Sequence, residues 1–389
     1  MKENGYITEA VYNSEVAQPL RSVQNGDFES FKNALPPRDY FTDEIRRQLS
    51  KDFGEDEFFT GGMTVRATVD PEMQVVAADA LRRQLERYDR SRGVWNGSGK
   101  KIAAENLGTE ESWREALSKV QIARDIDLEN KWHPAVVLEV GNNEARIGIE
   151  ENGRLANKAR VAGDLVSVGD VVHVRKMTAD NDGSFIRWTL RQVPEVQGGF
   201  MAMDVNTGRV IAMQGGFSYQ HSVFNRATQA KRQPGSSFKP FVYASALDSG
   251  YTPATIVVDA PIEINTPQGV WRPKNASKKF YGPTPLRTGI EQSRNLMTIR
   301  LAQEVGMDVV GDYAERFGVY DSLSPVLANA LGSQETTLFQ MVAAYAMFAN
   351  GGERVEPTLV DRVQDRYGET IYRHEPRSCT DCDDPNISA

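Results

Sequence analysis

Two cysteines and four histidines are present among 389 residues, which leaves little material for thiol or metal chemistry. The cysteines form Cys379-Thr380-Asp381-Cys382. A zinc site would need two more ligands, and only His374 is near in sequence. A redox motif would need a strand-to-helix setting, whereas this tail is polar and carries Pro376 and Pro385. A surface-loop disulfide or idle thiols are expected, with no metal and no cofactor. His133, His173, His221 and His374 are scattered, no Ser-His-Asp arrangement is legible, and structural or exposed roles are expected for them. Long apolar runs are also absent: no stretch approaches the length that spans a bilayer, and the N-terminus lacks a charged-then-apolar signal pattern. Basic charge is not in excess either. Asp and Glu number 53 against 45 Lys and Arg, a net charge of −8, with no polybasic run, so neither a nucleic acid nor an anionic membrane surface is an expected partner.

What is present is a serine and a lysine at i and i+3 in Gln233-Pro234-Gly235-Ser236-Ser237-Phe238-Lys239-Pro240. In a helix both side chains project from one face about a turn apart, so Lys239 can take the proton of Ser236 Oγ. Spacing alone is weak, since roughly one such pair is expected by chance in a chain this long. Ser98 and Lys101 form another, but within a glycine-rich polar loop without an apolar face. Ser236 instead follows the turn residues Pro234-Gly235 and precedes Phe238, Phe241, Val242, Ala246 and Leu247, which predicts a buried helix with Ser236 at its positive end. Pro240 fits only the first turn of such a helix.

A second hydroxyl follows in Ser293-Arg294-Asn295. The segment falls where one helical pattern ends at Gln292 and the next begins at Leu296. A hydroxyl and an amide two residues apart could relay a proton and grip a substrate amide, or they could simply cap the following helix.

Serine-x-x-lysine followed by serine-x-asparagine is part of the signature of penicillin-binding proteins and serine β-lactamases. Phe224-Asn225-Arg226-Ala227-Thr228-Gln229-Ala230, Trp271-Arg272-Pro273-Lys274-Asn275, Phe280-Tyr281-Gly282-Pro283 and Ala330-Leu331-Gly332-Ser333 extend the likeness. Together they resemble the transpeptidase domain of bifunctional, class A penicillin-binding proteins of the 1A type, most specifically from about residue 197 to 352.

The resemblance implies an α+β fold of the serine β-lactamase-like kind, an antiparallel sheet between helical layers, with an inserted all-β, OB-like barrel. It implies a D,D-transpeptidase that cross-links peptidoglycan stem peptides and is trapped by β-lactams. Ser236 would be the nucleophile, Lys239 the base, Ser293 the proton relay and Asn295 the group that binds the substrate amide. Other cell-wall synthesis proteins are implied as partners of the OB-like part, and the periplasmic face of the inner membrane as the location. A serine β-lactamase, a β-lactam sensor and a purely structural module remain as alternative classes. The third signature element, Lys-Thr-Gly, is absent; Asn206-Thr207-Gly208 is the nearest string. The expectation is therefore an incomplete domain, inactive or nearly so, that continues past Ala389 and starts after the catalytic body of a glycosyltransferase domain.

The patterning suggests residues 1–62 as glycosyltransferase tail and linker, 63–90 and 195–378 as transpeptidase, 91–194 as the insert and 379–389 as a polar tail. Met63 to Val69 alternates like a strand, and Asp70-Pro71-Glu72 starts a helix that runs to about Tyr88. In the insert, Ala135–Val140, Ala145–Ile149, Val171–Val174 and Ile186–Leu190 are the expected strands of an independently folding barrel. Its charge is balanced between His133 and Val193, and Phe185 and Trp188 are its only large aromatics there, so no nucleic-acid groove is expected. The hairpin Phe200–Val205 with Arg209–Met213 is expected to be this chain's only share of the main sheet, and the remainder is expected to be largely helical to Gly352.

Overall fold

The computed structural model describes residues 2, 7–19, 21–22, 38–128, 131–141, 144–150, 155–160, 165–179, 181–267 and 269–374. Cys379, Cys382 and Ala389 lie outside them. The chain divides into two units, 1–39 and 40–389. In the first, helix α1 (Glu9–Val16) is capped by Thr8, whose side chain accepts from Val11 N.

The second unit opens with α2 (Tyr40–Phe53), followed by α3 (Glu55–Thr60). Helix α2 buries Phe41, Ile45 and Leu49, a stripe at helical spacing, against Met201, Val210, Met213, Leu359 and Val363. Residues 40–60, expected to be linker, are thus packed helix. The helical period of Phe41, Ile45 and Leu49 is legible in the sequence, but the prolines at 36 and 37 and the charged stretch around Asp52 outweighed it in the linker reading.

Strand β1 (Thr64–Ala67) leads to α4 (Pro71–Arg92). Asp70 caps α4 by accepting from Glu72 N and Met73 N, Pro71 occupies the first turn, and Gly93 ends it in a left-handed conformation. The start agrees with the Asp-Pro signal, and the end lies one turn beyond Tyr88.

After β2 (Lys100–Lys101) comes α5 (Glu110–Lys119), inside the stretch expected to be all β. Thr109 caps it, and Trp113 and Leu117 pack on Val136 and Val171, each side chain contributing about 1.5–3 kcal/mol by burial. The Trp113 ring lies so close to Gly148 that a Cβ there would sit 2.9 Å from it.

Strands β3 (Trp132–Val140), β4 (Glu144–Ile149), β5 (Leu155–Arg160), β6 (Asp170–Thr178) and β7 (Phe185–Arg191) follow. The pairings run β3–β4–β5–β7–β6 and return to β3, a ring that is antiparallel throughout except at β5–β7. Four of these strands contain the expected ones, and β5 was not foreseen. Inward residues Ala135, Val137, Ala145, Ile147, Val172 and Val174 form the ring's core.

The next hairpin is β8 (Phe200–Met203) with β9 (Val210–Gln214), its turn held by Asp204 Oδ1, which accepts from Asn206 N and Thr207 N. Then come α6 (Lys239–Asp248), β10 (Ile256–Asp259), β11 (Ile264–Thr266), β12 (Gly269–Trp271), β13 (Gly282–Pro285), α7 (Leu286–Glu291), α8 (Asn295–Val305), α9 (Met307–Arg316) and α10 (Leu338–Ala349). Helices α6, α8 and α9 share a core of Phe238, Phe241, Val242, Met297, Leu301 and Val310.

The chain then forms β14 (Val360–Gln364) and β15 (Thr370–Arg373), and β14 pairs with β1. Two backbone bonds, Val210 N to Thr358 O and Thr358 N to Gly208 O, join this sheet to β9. The expectation of a single hairpin is therefore corrected. Strand β1 was expected from its own alternation, but the alternation of Val360, Val363 and Tyr372 is short and interrupted, and β14 lies nearly three hundred residues from β1, so no local pattern announced the pairing.

Candidate active site

Gly235 to Phe238 form a 3₁₀ turn that runs into α6 at Lys239. Ser236 was expected at the start of an α-helix. The tighter turn arises because Pro240 needs the first turn of α6 and Gly235 takes φ +56°. Residues i and i+3 of a 3₁₀ turn eclipse, so Ser236 and Lys239 still project to the same side, and Lys239 N donates to Ser236 O. Their exposure differs sharply. Ser236 is exposed and its Oγ makes no hydrogen bond among the described residues, whereas Lys239 is 1% exposed.

The buried Lys239 Nζ donates to Ser293 O at 2.7 Å, Ser293 Oγ at 3.0 Å and Asn295 Oδ1 at 2.7 Å. Burial lowers its pKa from 10.5 to about 8. Ser293 has φ +52°, one of two positive-φ residues other than glycine among those described. This left-handed conformation, uncommon for serine, turns both its carbonyl and its hydroxyl toward the amine. The structure thus brings Lys239, Ser293 and Asn295 into direct contact and leaves Ser236 open beside them.

Helix capping was the competing explanation for Ser293 and Asn295. The first residue before α8 is Arg294, which makes no side-chain cap. The leading amides, Asn295 N and Leu296 N, instead donate to Asn275 Oδ1 at 2.9 and 3.3 Å. The hydroxyl and amide next to the helix start are thereby free to bind Lys239.

A buried layer underneath holds this loop. Asn275 Nδ2 donates to Asp259 Oδ1 and Oδ2 at 2.7 and 2.9 Å and to Lys279 O at 3.0 Å. Asp259 is wholly buried and also accepts from Arg294 Nη1 at 3.2 Å. The Arg294 guanidinium lies over the Tyr281 ring, 3.2 Å from its centroid. Sequence reasoning did not assign Asp259, Asn275 or Arg294 a role. They lie on separate segments, and nothing local shows that they meet.

The remaining candidates do other work. Ser98 Oγ donates to Val171 O, and Lys101 pairs with Asp170 at 3.6 Å, so that serine-lysine pair ties a loop to β6. His173 is buried, its Nε2 2.8 Å from Ala123 O, with its pKa lowered by burial. His374 Nε2 lies 2.7 Å from Thr207 O. No group of three or more His, Cys, Asp or Glu residues that could hold a metal occurs among the described residues. None of the described helices is long and apolar enough to cross a membrane.

Residues 198–381 match the penicillin binding protein transpeptidase domain, a span that contains every residue of this site. The chain is 39% identical to penicillin-binding protein 1A of Rickettsia bellii over 98% of its length, which is 47% of that relative. The chain belongs to the penicillin-binding protein family. It is also 35% identical to penicillin-binding protein 1A of Vibrio cholerae, over 97% of this chain and 47% of the relative. Among solved structures, it superimposes on penicillin-binding protein 1A from Haemophilus influenzae with a TM-score of 0.76 at 30% identity, covering 98% of this chain and 55% of that one. The likeness to class A proteins of the 1A type therefore extends through the inserted ring of strands as well as the transpeptidase part. The chain spans about half the length of the curated relatives it matches.

Proposed function

We propose that this chain carries the acyl-transfer site of a peptidoglycan D,D-transpeptidase. The observation that carries the proposal is the buried Lys239 amine, bound to Ser293 and Asn295 and set one 3₁₀ turn from an exposed, unengaged Ser236. A lysine with its pKa near 8 can shed its proton near neutral pH and serve as a base. Neutral Nζ then takes the proton of Ser236 Oγ as Oγ attacks the carbonyl carbon of the penultimate D-Ala in a stem peptide. The C–N bond to the terminal D-Ala breaks, and the proton passes through Ser293 Oγ to the leaving amine. The amine of a second stem peptide attacks the Ser236 ester, forms the cross-link and returns its proton to restore Ser236. Asn295 Nδ2 donates one hydrogen to Lys274 O and has a second to offer a substrate carbonyl.

β-Lactams would enter as mimics of the D-Ala-D-Ala end and acylate Ser236. The 389 residues hold no Lys-Thr-Gly triplet, so no residue here is assigned to the substrate carboxylate. The cross-linked polymer places the work on the periplasmic face of the bacterial inner membrane. The strand ring, with a single parallel pairing between its third and fifth strands, is in this proposal the OB-like insert.

Fluorescent penicillin tests the proposal. In the intact protein the label should map to Ser236, and Ser236→Ala should stay dark. Label found on Ser98, Ser237 or Ser293, or labelling that survives the substitution, would refute it.

A further inference from the structure

The balanced charge of the insert conceals how its basic residues are placed. Strands β6 and β7 pair His173 with Arg191, Arg175 with Thr189 and Met177 with Arg187. The period of two then puts Arg175, Arg187 and Arg191 on one face. Val172, Val174 and Leu190 point the other way, into the ring core. The arginine face looks toward α4, and between them lies a cavity of about 750 Å³ lined also by Glu86, Asp89 and Trp95, with Leu165 and Met177 as apolar wall. Its volume falls in the range of small-molecule sites.

The charges in this cavity do not cancel. Glu86 is taken by Arg191, 3.0 Å from Nε, and by Arg90 at 3.5 Å. Asp89 is taken by Gln192 Nε2 at 2.7 Å and Glu195 N at 3.2 Å. Arg175 and Arg187 have no carboxylate among the described residues, whereas Arg191 has the Glu86 ion pair; the Nε atoms of all three are buried without a hydrogen bond. Like charges at diagonal cross-strand positions repel. Burial and, next, the charge of Arg175 push the pKa of Arg191 down to about 10. A face that holds two surplus guanidiniums against a third is unfavourable for folding alone. It becomes favourable when an anion bridges them, because the guanidinium fork matches phosphate and carboxylate geometry.

We infer that the cavity between α4 and the β6–β7 face is an oxyanion-binding site. It would take a ligand whose phosphoryl group or paired carboxylates sit between Arg175 and Arg187, with an apolar or ring portion on Trp95. Nothing in the acyl-transfer chemistry requires this site.

Isothermal titration with pyrophosphate and with tricarballylate, each against sodium chloride at matched ionic strength, tests the inference. Binding of either anion above the chloride control is expected, and the stronger of the two identifies the phosphoryl or the carboxylate source. The double variant Arg175→Gln/Arg187→Gln should bind roughly 100-fold more weakly, about tenfold for each guanidinium removed from the anion. It should melt no lower than the parent in the absence of ligand, since like charges have been removed. Glu86→Gln frees Arg191 and should tighten binding, a change of sign that local disruption would not produce. No heat from either anion, or equal affinity in parent and double variant, or weaker binding in Glu86→Gln, would overturn the site.

Discussion

Gly332 and Gly235 meet backbone to backbone: a Cβ built on Gly332 would lie 2.3 Å from Gly235 O, while Gly235 N donates to Gly332 O at 3.1 Å. Both have positive φ. Arg232 and Thr336 exchange backbone bonds of 2.8 and 3.0 Å just beyond, so the segment that leads to Ser236 is fastened at two points to the loop after Leu331. Gly332→Ala combines a left-handed alanine with a backbone clash, and a loss of about 1–3 kcal/mol is expected. Because the clash falls on the residue next to Ser236, fluorescent-penicillin labelling should slow at least tenfold. An unchanged melting temperature with labelling at the parental rate would show that the glycine contact does not position Ser236.

The pH dependence follows from Lys239. With its pKa lowered to about 8 by burial, the amine is protonated and unable to take a proton below that value. The acylation rate should climb about tenfold per pH unit and level off near pH 8. Stability has its own window. The unfolded chain binds the extra proton between about 8 and 10.5, so stability should rise with pH across that interval, by on the order of 3 kcal/mol, and the full penalty of the buried ammonium is present below it. Lys239→Gln keeps a donor for Ser293 and Asn295 but cannot act as base, and should lower the acylation rate by roughly 100- to 10,000-fold. A rate that stays flat through the pH range around 8 would remove Lys239 from the role of base.

How much of this was legible in the sequence depended on distance along the chain. Ser236 and Lys239 share one turn, and Ser293 and Asn295 sit where Ile290 and Leu296 end and begin apolar runs, so local spacing exposed both. Asp70-Pro71 fixed the start of α4 for the same reason. The supports of the site are different. Asn275 reaches the start of α8 from 20 residues away, and Asp259 reaches Arg294 from 35, through bonds that no periodicity encodes. Helix α5 had a local signal, Thr109 followed by Glu110 and Glu111 with Trp113, Ala116 and Leu117 on one face. It was overridden by the strand pattern around it.

Asn275 should matter without touching Ser236. Asn275→Ala removes the acceptor of two α8 amides and takes from the buried Asp259 the Nδ2 group that donates to both its oxygens. A loss of about 2–4 kcal/mol is expected. Asn275→Asp preserves the shape but sets a carboxylate against Asp259 at a separation now spanned by a 2.7 Å hydrogen bond. Its stability should therefore recover as the pH falls and one of the two acids protonates. Thermal melts of both variants from neutral to mildly acidic pH would check this; a pH-independent deficit in Asn275→Asp would show that the bond network is not what fixes the loop.

The last prediction concerns the joint between the strand ring and the rest of its unit. Trp132, at the start of β3, is fully buried against Phe217, with ring centroids 5.3 Å apart, and shares a core with Leu85 of α4 and Ile126. Arg82 of α4 donates to Phe217 O at 2.8 Å, Asp125 O at 2.9 Å and Asp127 O at 3.1 Å, and Asp125 accepts from Tyr219 N at 2.9 Å. An independently folding insert would be expected to keep such a tryptophan inside its own core. Here the ring of strands completes a core that α4 and the β9–α6 connection also build, so the parts should unfold together. Trp132→Ala should cost about 3–5 kcal/mol, and both the parent and the variant should show a single calorimetric transition for residues 40–374. Two well-separated transitions, with only the β-type one moved by the substitution, would establish that the insert melts alone and that this joint does not couple it to α4.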